Sequence, residues 1–377
     1  MKLAIVNISG GTFSGGYRKY LLKLIPLLLE KNEISSLRVY VPENTEMDAD
    51  PSVIHYWKAS RFQLGYSSIK KNLGKFKPDL IFVPTARKFS YKNVPVVNMV
   101  RNMEPLLVPF GANPLSEKII NIMRAWVAKR STVKADRTIA VSNHVKDFIT
   151  SQWSVSPDKV GVVYHGVNPL SDIKKKPEKP ANIPEDTSFL FTGGSIRPAR
   201  GLEDLIQALP GILEHKPGLK LVIAGKSDPG MQFYQDEITD LAKSLGVYHQ
   251  IIWCGHLLPY QMAWCFQNCE VFVMTSRAEA CPNIVLEALT HGTLSVSTDT
   301  DPMPEFFQGH AIYYHSGDPS ALADGVNRMF KKSDSEIRKL RTLGKEWASY
   351  FTWQRCADST IMELKKVLNS NKENIDS

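Results

Sequence analysis

Short runs rich in β-branched and aromatic residues alternate along this chain with longer stretches in which apolar residues recur every three or four positions, the period of an amphipathic helix. In the first half the runs are LAIVNIS (3–9), LRVYVP (37–42), LIFVP (80–84), VPVVNMV (94–100), RTIAVS (137–142) and KVGVVYH (159–165), each predicting a strand. The clearest helical stretches between them are 16–30 and 113–131. The pattern repeats with FLFTGG (189–194), LKLVIAG (219–225), IIWCGH (251–256), EVFVM (270–274) and TLSVST (293–298). Such alternation predicts parallel sheets and an α/β fold. Between the halves lies SDIKKKPEKPANIPED (171–186), polar, rich in lysine and proline and without an apolar period, which reads as a linker. Two Rossmann-like domains follow, 1–170 and 187–350, and ligands are expected in a cleft at the carboxyl ends of their strands. The helical segment at 351–370 is expected to pack back on the first domain.

Composition narrows the class. A chain of 377 residues exceeds the usual span of one core, and 43% hydrophobic residues suffice for two. No run of 18 apolar residues occurs, and MKLAIVNISGG opens as a strand and glycines rather than as a leader. The expected location is cytoplasmic, or peripheral on the cytoplasmic face of a membrane. The five cysteines lack C-x-x-C pairing and read as buried thiols.

Charge is uneven. The net is +8, but residues 1–170 hold 24 Lys/Arg against 12 Asp/Glu, which leaves −4 for the remainder. A basic half suits an acidic partner, anionic lipid or nucleic acid, although ordinary solubilising charge fits as well. Nucleic acid is disfavoured because basic and aromatic residues do not interleave as stacking platforms require. In 113–137, Ile119, Ile120, Met123, Trp126 and Val127 fall near one helical face, with Lys118, Arg124, Lys129, Arg130 and Lys134 around it. Two readings fit: an interfacial helix on anionic membrane, or a helix packed on the sheet with a solvated basic edge.

The chemistry concentrates in loops that follow strands. In SRAEACPNIVLEAL (276–289) a helix is predicted to begin near Pro282, which suits a first helical position because its missing N–H would be unsatisfied there. Glu279 then lies in the loop and Glu287 more than a turn into the helix, with first-turn N–H groups between them. Such a terminus attracts phosphate and the carboxylates accept from hydroxyls, so the pair suits an anionic sugar derivative; a solvated loop explains it equally well. In FTGGSIRPARGLEDLIQAL (191–209), Gly194 and Ser195 form a turn that carries Arg197 and Arg200, whose guanidinium forks match a diphosphate. Near the N-terminus, SGGTFSGGYRKYL (9–21) places Gly15 and Gly16 where backbone can approach a ligand, without the spacing of a dinucleotide fingerprint or a P-loop.

Taken in order, FTGGSIRPARG, LVIAGKSDPG, SRAEACPNIVLEAL and HGTLSVSTDTDPMPEFF, with AVSNHVKDFI, VGVVYHGVN and FTWQRCA, resemble glycosyltransferase family 4 across nearly the whole chain. The resemblance implies the GT-B fold, two Rossmann-like domains facing across a cleft, and an E-x7-E motif at Glu279 and Glu287. It implies that Glu287 binds the nucleotide ribose, and that Glu279 contacts the transferred sugar and lends negative charge near the reacting centre. Backbone groups of Ala280, Cys281, Pro282 and Asn283 would contact sugar and phosphate, and Arg200 stands where the family commonly has a lysine against the diphosphate. Two departures stand out. The family's other basic residue would fall at Gly194, with Arg197 as its substitute, and Arg101 and Asn102 replace a histidine and an aspartate near the donor sugar.

The activity implied is retaining transfer of a hexosyl unit from a UDP- or GDP-sugar to a glycan or lipid-linked acceptor, in polysaccharide or glycolipid synthesis. Fixed cations at the diphosphate imply no metal and no cofactor beyond the donor. Alternatives are a sugar-nucleotide epimerase of the same fold and a non-catalytic sugar-nucleotide binder.

Overall fold

The computed structural model describes every residue except 9–14, 44, 46, 59–65, 108–112, 171–174, 228–229 and 374–377. Among the described residues the strands are β1 Lys2–Val6, β2 Ser36–Pro42, β3 Ile54–Trp57, β4 Leu80–Val83, β5 Val96–Val100, β6 Arg137–Ala140, β7 Val160–Val162, β8 Phe189–Gly193, β9 Lys220–Ala224, β10 Ile251–Gly255, β11 Val271–Met274, β12 Ser295–Thr298 and β13 Ala311–Tyr314. The helices are α1 Gly15–Leu29, α2 Ser67–Phe76, α3 Leu115–Lys134, α4 Asn143–Trp153, α5 Leu202–His215, α6 Gln232–Ser244, α7 Pro259–Asn268, α8 Asn283–His291, α9 Met303–Phe307, α10 Pro319–Phe330, α11 Asp334–Ala348 and α12 Trp353–Glu373.

The chain divides into two units. Unit 1 takes Met1–Leu106, Ile119–Gly166 and the chain from Thr352 onwards; unit 2 takes Leu107–Lys118 and Val167–Phe351. Each is built on one sheet whose neighbouring strands all run parallel, ordered β3-β2-β1-β4-β5-β6-β7 in unit 1 and β10-β9-β8-β11-β12-β13 in unit 2. Central strands such as β4, β5, β8 and β11 are buried at every residue. Helices cover both faces of such a sheet, so its strands read as continuous apolar runs rather than alternating ones.

Strand order reverses between β1 and β4 in unit 1 and between β8 and β11 in unit 2. Those reversals open crevices beyond the carboxyl ends of the strands, where ligands of open α/β sheets bind. The polar stretch that reads as a linker is packed on unit 2 where it is described. Ile183 is fully buried, Asn182 donates to the Trp253 carbonyl at 3.3 Å, and Lys175 Nζ stands 3.9 Å from the centre of the Tyr260 ring. One well-placed apolar residue is enough to anchor a segment that composition alone marks as solvated. In unit 1, α12 is tied on by Arg137 to Glu363 and Lys31 to Asp358.

Helix α3 is amphipathic in the inverted sense. It buries Asn121, Ala128, Ser131 and Thr132. Its large apolar residues face outward, with Met123 63% and Trp126 62% exposed and Leu115, Ile119, Ile120, Ile122, Val127 and Val133 also exposed. The reading in which Ile119, Ile120, Met123, Trp126 and Val127 pack on the sheet is therefore corrected: the helix seats itself through small and polar side chains. Among the described residues, no helix is long and apolar enough to cross a membrane.

Candidate functional site

In unit 2 the crevice lies between the loop after β8, which leads to α5, and the loop after β11, which leads to α8. The two loops touch because Gly201 is a glycine. Its φ of +58° suits the left-handed region, and a Cβ there would stand 2.5 Å from the Thr275 carbonyl oxygen. Contact continues through the backbone of the turn Pro198–Arg200. Thr275 Oγ1 donates to the Arg200 carbonyl at 2.6 Å, and the Arg277 N–H donates to the Ala199 carbonyl at 2.8 Å.

Held in this way, Arg200 directs its guanidinium across the crevice. Nη1 donates to Ser276 Oγ at 3.0 Å and forms an ion pair with Glu279. Gly194, at φ +133°, lies under that guanidinium: a Cβ on it would come 2.9 Å from Arg200 Cζ. The place where a second basic residue is expected is thus filled by Arg200 itself, which explains the glycine. Ser195 lines the same depression with Gly194, Thr275 and Ser276. Arg197 precedes the turn in extended conformation and is half-buried.

Behind the crevice a charge network, not foreseen from the sequence, fixes both loops. Arg277 pairs with Glu203 at 2.6 Å and with Asp204 at 2.9 Å. Burial opposes the charge on Arg277, yet Glu203 and Asp204 hold its pKa above the ordinary value. Asp204, 2% exposed, also accepts from the Gly317 N–H at 2.9 Å and the Tyr314 hydroxyl at 3.2 Å. Burial, reinforced by Asp204, pushes the Tyr314 pKa up and keeps it a donor. Glu203 and Asp204 stand in the first turn of α5, where the helix dipole also favours negative charge. The available signal was an acidic pair opening a helix that begins just after a glycine turn.

Pro282 caps α8 and Asn283 is its first residue, one position later than expected, so the first-turn N–H groups begin at Asn283. Ala280 and Pro282 are buried, while Cys281 and Asn283 are partly exposed beside each other. Glu287 is half-buried on α8, one turn before His291. Burial pushes the His291 pKa down to about 4, although Glu287 pulls it upward.

Unit 2 therefore gathers Gly194, Ser195, Arg200 and Glu279 in one crevice. Arg197, Ala280, Cys281, Pro282, Asn283 and Glu287 also belong to unit 2, whereas Gly15, Gly16, Arg101 and Asn102 belong to unit 1. Gly15 and Gly16 open α1, with room around both; the glycine-rich stretch before them falls outside the described residues. Arg101 follows β5 and stacks on Tyr17, its Cζ 3.7 Å from the ring centre. Asn102 Oδ1 accepts from the Glu104 N–H at 3.1 Å and so shapes the turn after β5.

Comparison with known proteins gives a consistent picture. Residues 38–169 match the family model described as Glycosyltransferase Family 4, and residues 173–347 match Glycosyl transferases group 1. An uncharacterized glycosyltransferase of Methanocaldococcus jannaschii is 28% identical over 246 residues, which cover 62% of this chain and 61% of the relative. Among solved structures, sucrose-phosphate synthase from Thermosynechococcus elongatus superimposes with a TM-score of 0.75 at 15% identity, covering 98% of this chain and 100% of that one. Anabaena HepE in complex with UDP-glucose gives 0.70 at 16% identity, covering 99% and 100%.

Proposed function

Because this chain belongs to the family 4, group 1 glycosyltransferases of GT-B fold, we propose that it moves a hexosyl unit from a UDP- or GDP-sugar to a glycan or lipid-linked acceptor with retention of configuration. Unit 2 takes the donor and unit 1 the acceptor. The observation that carries this reading is the crevice in which Arg200, presented by two interlocked loops, is neutralised by Glu279. An arriving diphosphate displaces the carboxylate from Arg200. Glu279 is then released to accept from the sugar's hydroxyls and to lend negative charge beside the anomeric carbon.

As the bond to the leaving phosphate breaks, charge develops on the diphosphate. Arg200, Arg197 and the first-turn N–H groups of α8 stabilise it. The acceptor hydroxyl attacks from the face the diphosphate leaves, and a departing phosphate oxygen takes its proton. Glu287 holds the ribose. HepE, a protein of similar fold, is crystallised with UDP-glucose, which supports a uridine donor. The outward apolar face of α3, flanked by Lys118, Arg124, Lys129, Arg130 and Lys134, supports an anionic membrane surface as the place where a lipid-linked acceptor is met.

A thermal-shift screen against UDP, GDP and their sugars tests the donor. At about a hundred times its dissociation constant a true ligand stabilises by roughly 2.7 kcal/mol, and Glu287→Ala should reduce that shift. Absence of a shift with every nucleotide overturns the proposal. Product analysis with labelled donors separates transfer from epimerisation. Activity should persist in EDTA, because fixed cations stand where a metal's charge is needed; loss that magnesium or manganese restores refutes that part.

A further inference from the structure

Arg101 directly follows β5 and is partly exposed. It stands at the carboxyl end of β5, on the side of the sheet where ligands of open α/β folds bind. Its ring partner is rigidly held. The Tyr17 hydroxyl donates to Asn7 Oδ1, and Asn7 is clamped by its side-chain amide to the Tyr40 carbonyl at 3.1 Å and by its own carbonyl to Trp57 Nε1 at 3.0 Å. The chain of contacts Asn7, Tyr17, Arg101 sets the guanidinium carbon over a buried ring.

What this seat lacks is an acceptor. The Nε of Arg101 is buried without a hydrogen-bond partner, and among the described residues no carboxylate pairs with the guanidinium. Burial lowers its pKa, and the groups that oppose the shift are Tyr17 and Tyr20, whose own burial keeps them neutral. A ring face attracts a cation, but it satisfies none of the five guanidinium donors. Arg101 is partly exposed, so its outer guanidinium nitrogens are open to an approaching ligand while the buried Nε has no partner inside the protein; an acceptor supplied from outside is the economical account. Gly15 and Gly16, in the turn of α1 that carries Tyr17, are exposed, and a Cβ on either would meet nothing within 4 Å, so these backbone positions do not crowd a ligand.

We infer that Arg101 binds an anionic group carried by the sugar substrate, a carboxylate or phosphate whose paired oxygens match the guanidinium fork. The inference rests on the transferase reading and narrows it: the transferred sugar or the acceptor sugar is acidic. A lysine at this place would bind the charge without the fork, so Arg101→Lys should keep part of the preference and Arg101→Gln none.

The experiment has two arms. In the donor arm, binding and turnover of UDP-glucuronate and UDP-galacturonate are compared with those of UDP-glucose and UDP-galactose. In the acceptor arm, transfer from UDP-glucose to methyl glucuronide is compared with transfer to methyl glucoside. The wild type should prefer the acidic member by tenfold or more in one arm, and Arg101→Gln should abolish that preference while UDP still stabilises the protein. A wild type without an acidic preference in either arm overturns the inference without need of any variant. So does a preference that survives in Arg101→Gln, or an equal loss of acidic and neutral donors, which would place Arg101 on the diphosphate. If UDP stabilises the protein and no preference appears, the inference alone fails; if no nucleotide binds, the transferase reading fails first.

Discussion

Two arginines at the carboxyl ends of two parallel sheets are held in opposite ways. Arg200 in unit 2 is tied by Ser276 and Glu279 and anchored through its own carbonyl by Thr275. Arg101 in unit 1 is held by the face of one aromatic ring and has no acid beside it among the described residues. A paired cation must exchange partners to bind an anion, so the empty crevice stays neutral and the released carboxylate becomes available to the substrate. An unpaired cation exchanges nothing, and its position is set by packing. At these two strand ends unit 2 thus pairs its cation with a carboxylate, whereas in unit 1 Arg101 has none among the described residues.

The comparison is tested most severely at Arg200. Arg200→Ala should lower kcat/KM by about a hundredfold to a thousandfold, roughly 3–4 kcal/mol of lost stabilisation of developing charge. Arg197→Ala should cost less, because Arg200 already fills the space over Gly194. Steady-state kinetics on both variants decide the matter: equal losses would mean that the two arginines share the diphosphate.

Acid should distinguish the units next. His291 on α8 is neutral in the fold, with its pKa pushed down to about 4 by burial, against an ordinary value of 6.5. The unfolded chain takes up a proton as pH falls through 6.5, while the folded protein does not until about 4. Stability is thus intact above 6.5 and is lost progressively below it, by at most about 3 kcal/mol from this group. Urea unfolding across that range should show the loss, and His291→Asn should flatten the curve. Burial also lowers the pKa of His55 in unit 1 and His310 in unit 2, with Arg38 adding to the shift of His55, so a residual slope belongs to them. An unchanged slope in His291→Asn would remove His291 from the account.

Gly194→Ala probes the seat of Arg200 more gently. An alanine at φ +133° is strained, and its Cβ meets the guanidinium. The expected cost is about 1–3 kcal/mol, shared between stability and donor affinity. A variant with unaltered melting temperature and donor KM would show that the contact over Gly194 is incidental.

These differences were unequally visible in the sequence. Central strands announce themselves, since β4, β8 and β11 are buried on both faces and leave uninterrupted apolar runs. The two strands that were missed, β3 (IHYW) and β13 (AIYY), are four-residue edge strands with partly exposed side chains. The pairing of an arginine with the E-x7-E carboxylate follows from loops that each leave a strand end. The support by Arg277, Glu203 and Asp204 was hidden, because it depends on Gly201 approaching Thr275 across more than seventy residues of chain. Helix α3 was ambiguous for another reason. Apolar periodicity states that one face is greasy and leaves open which face is buried, and here Asn121, Ser131 and Thr132 take the inside.

That outward face supplies the smallest and last test. Arg130 lies 5.5 Å from the centre of the exposed Trp126 ring, so a basic and an aromatic group meet at the rim of the apolar face. On vesicles containing phosphatidylglycerol, each basic residue at the surface contributes about 1 kcal/mol, and Arg130→Gln should weaken co-sedimentation roughly fivefold at low salt. Added salt should erase most of that difference, because exposed charges a Debye length apart are screened. Trp126→Ser should weaken binding in a manner salt does not restore, since it removes buried apolar area and no charge. Replacing Arg124, Lys129 and Arg130 together with Glu should abolish pelleting, while the UDP-induced thermal shift assigned to unit 2 stays as it was. Equal pelleting with neutral phosphatidylcholine vesicles, or none at low salt, removes the membrane from the account of unit 1 and leaves the inference about Arg101 to stand alone there.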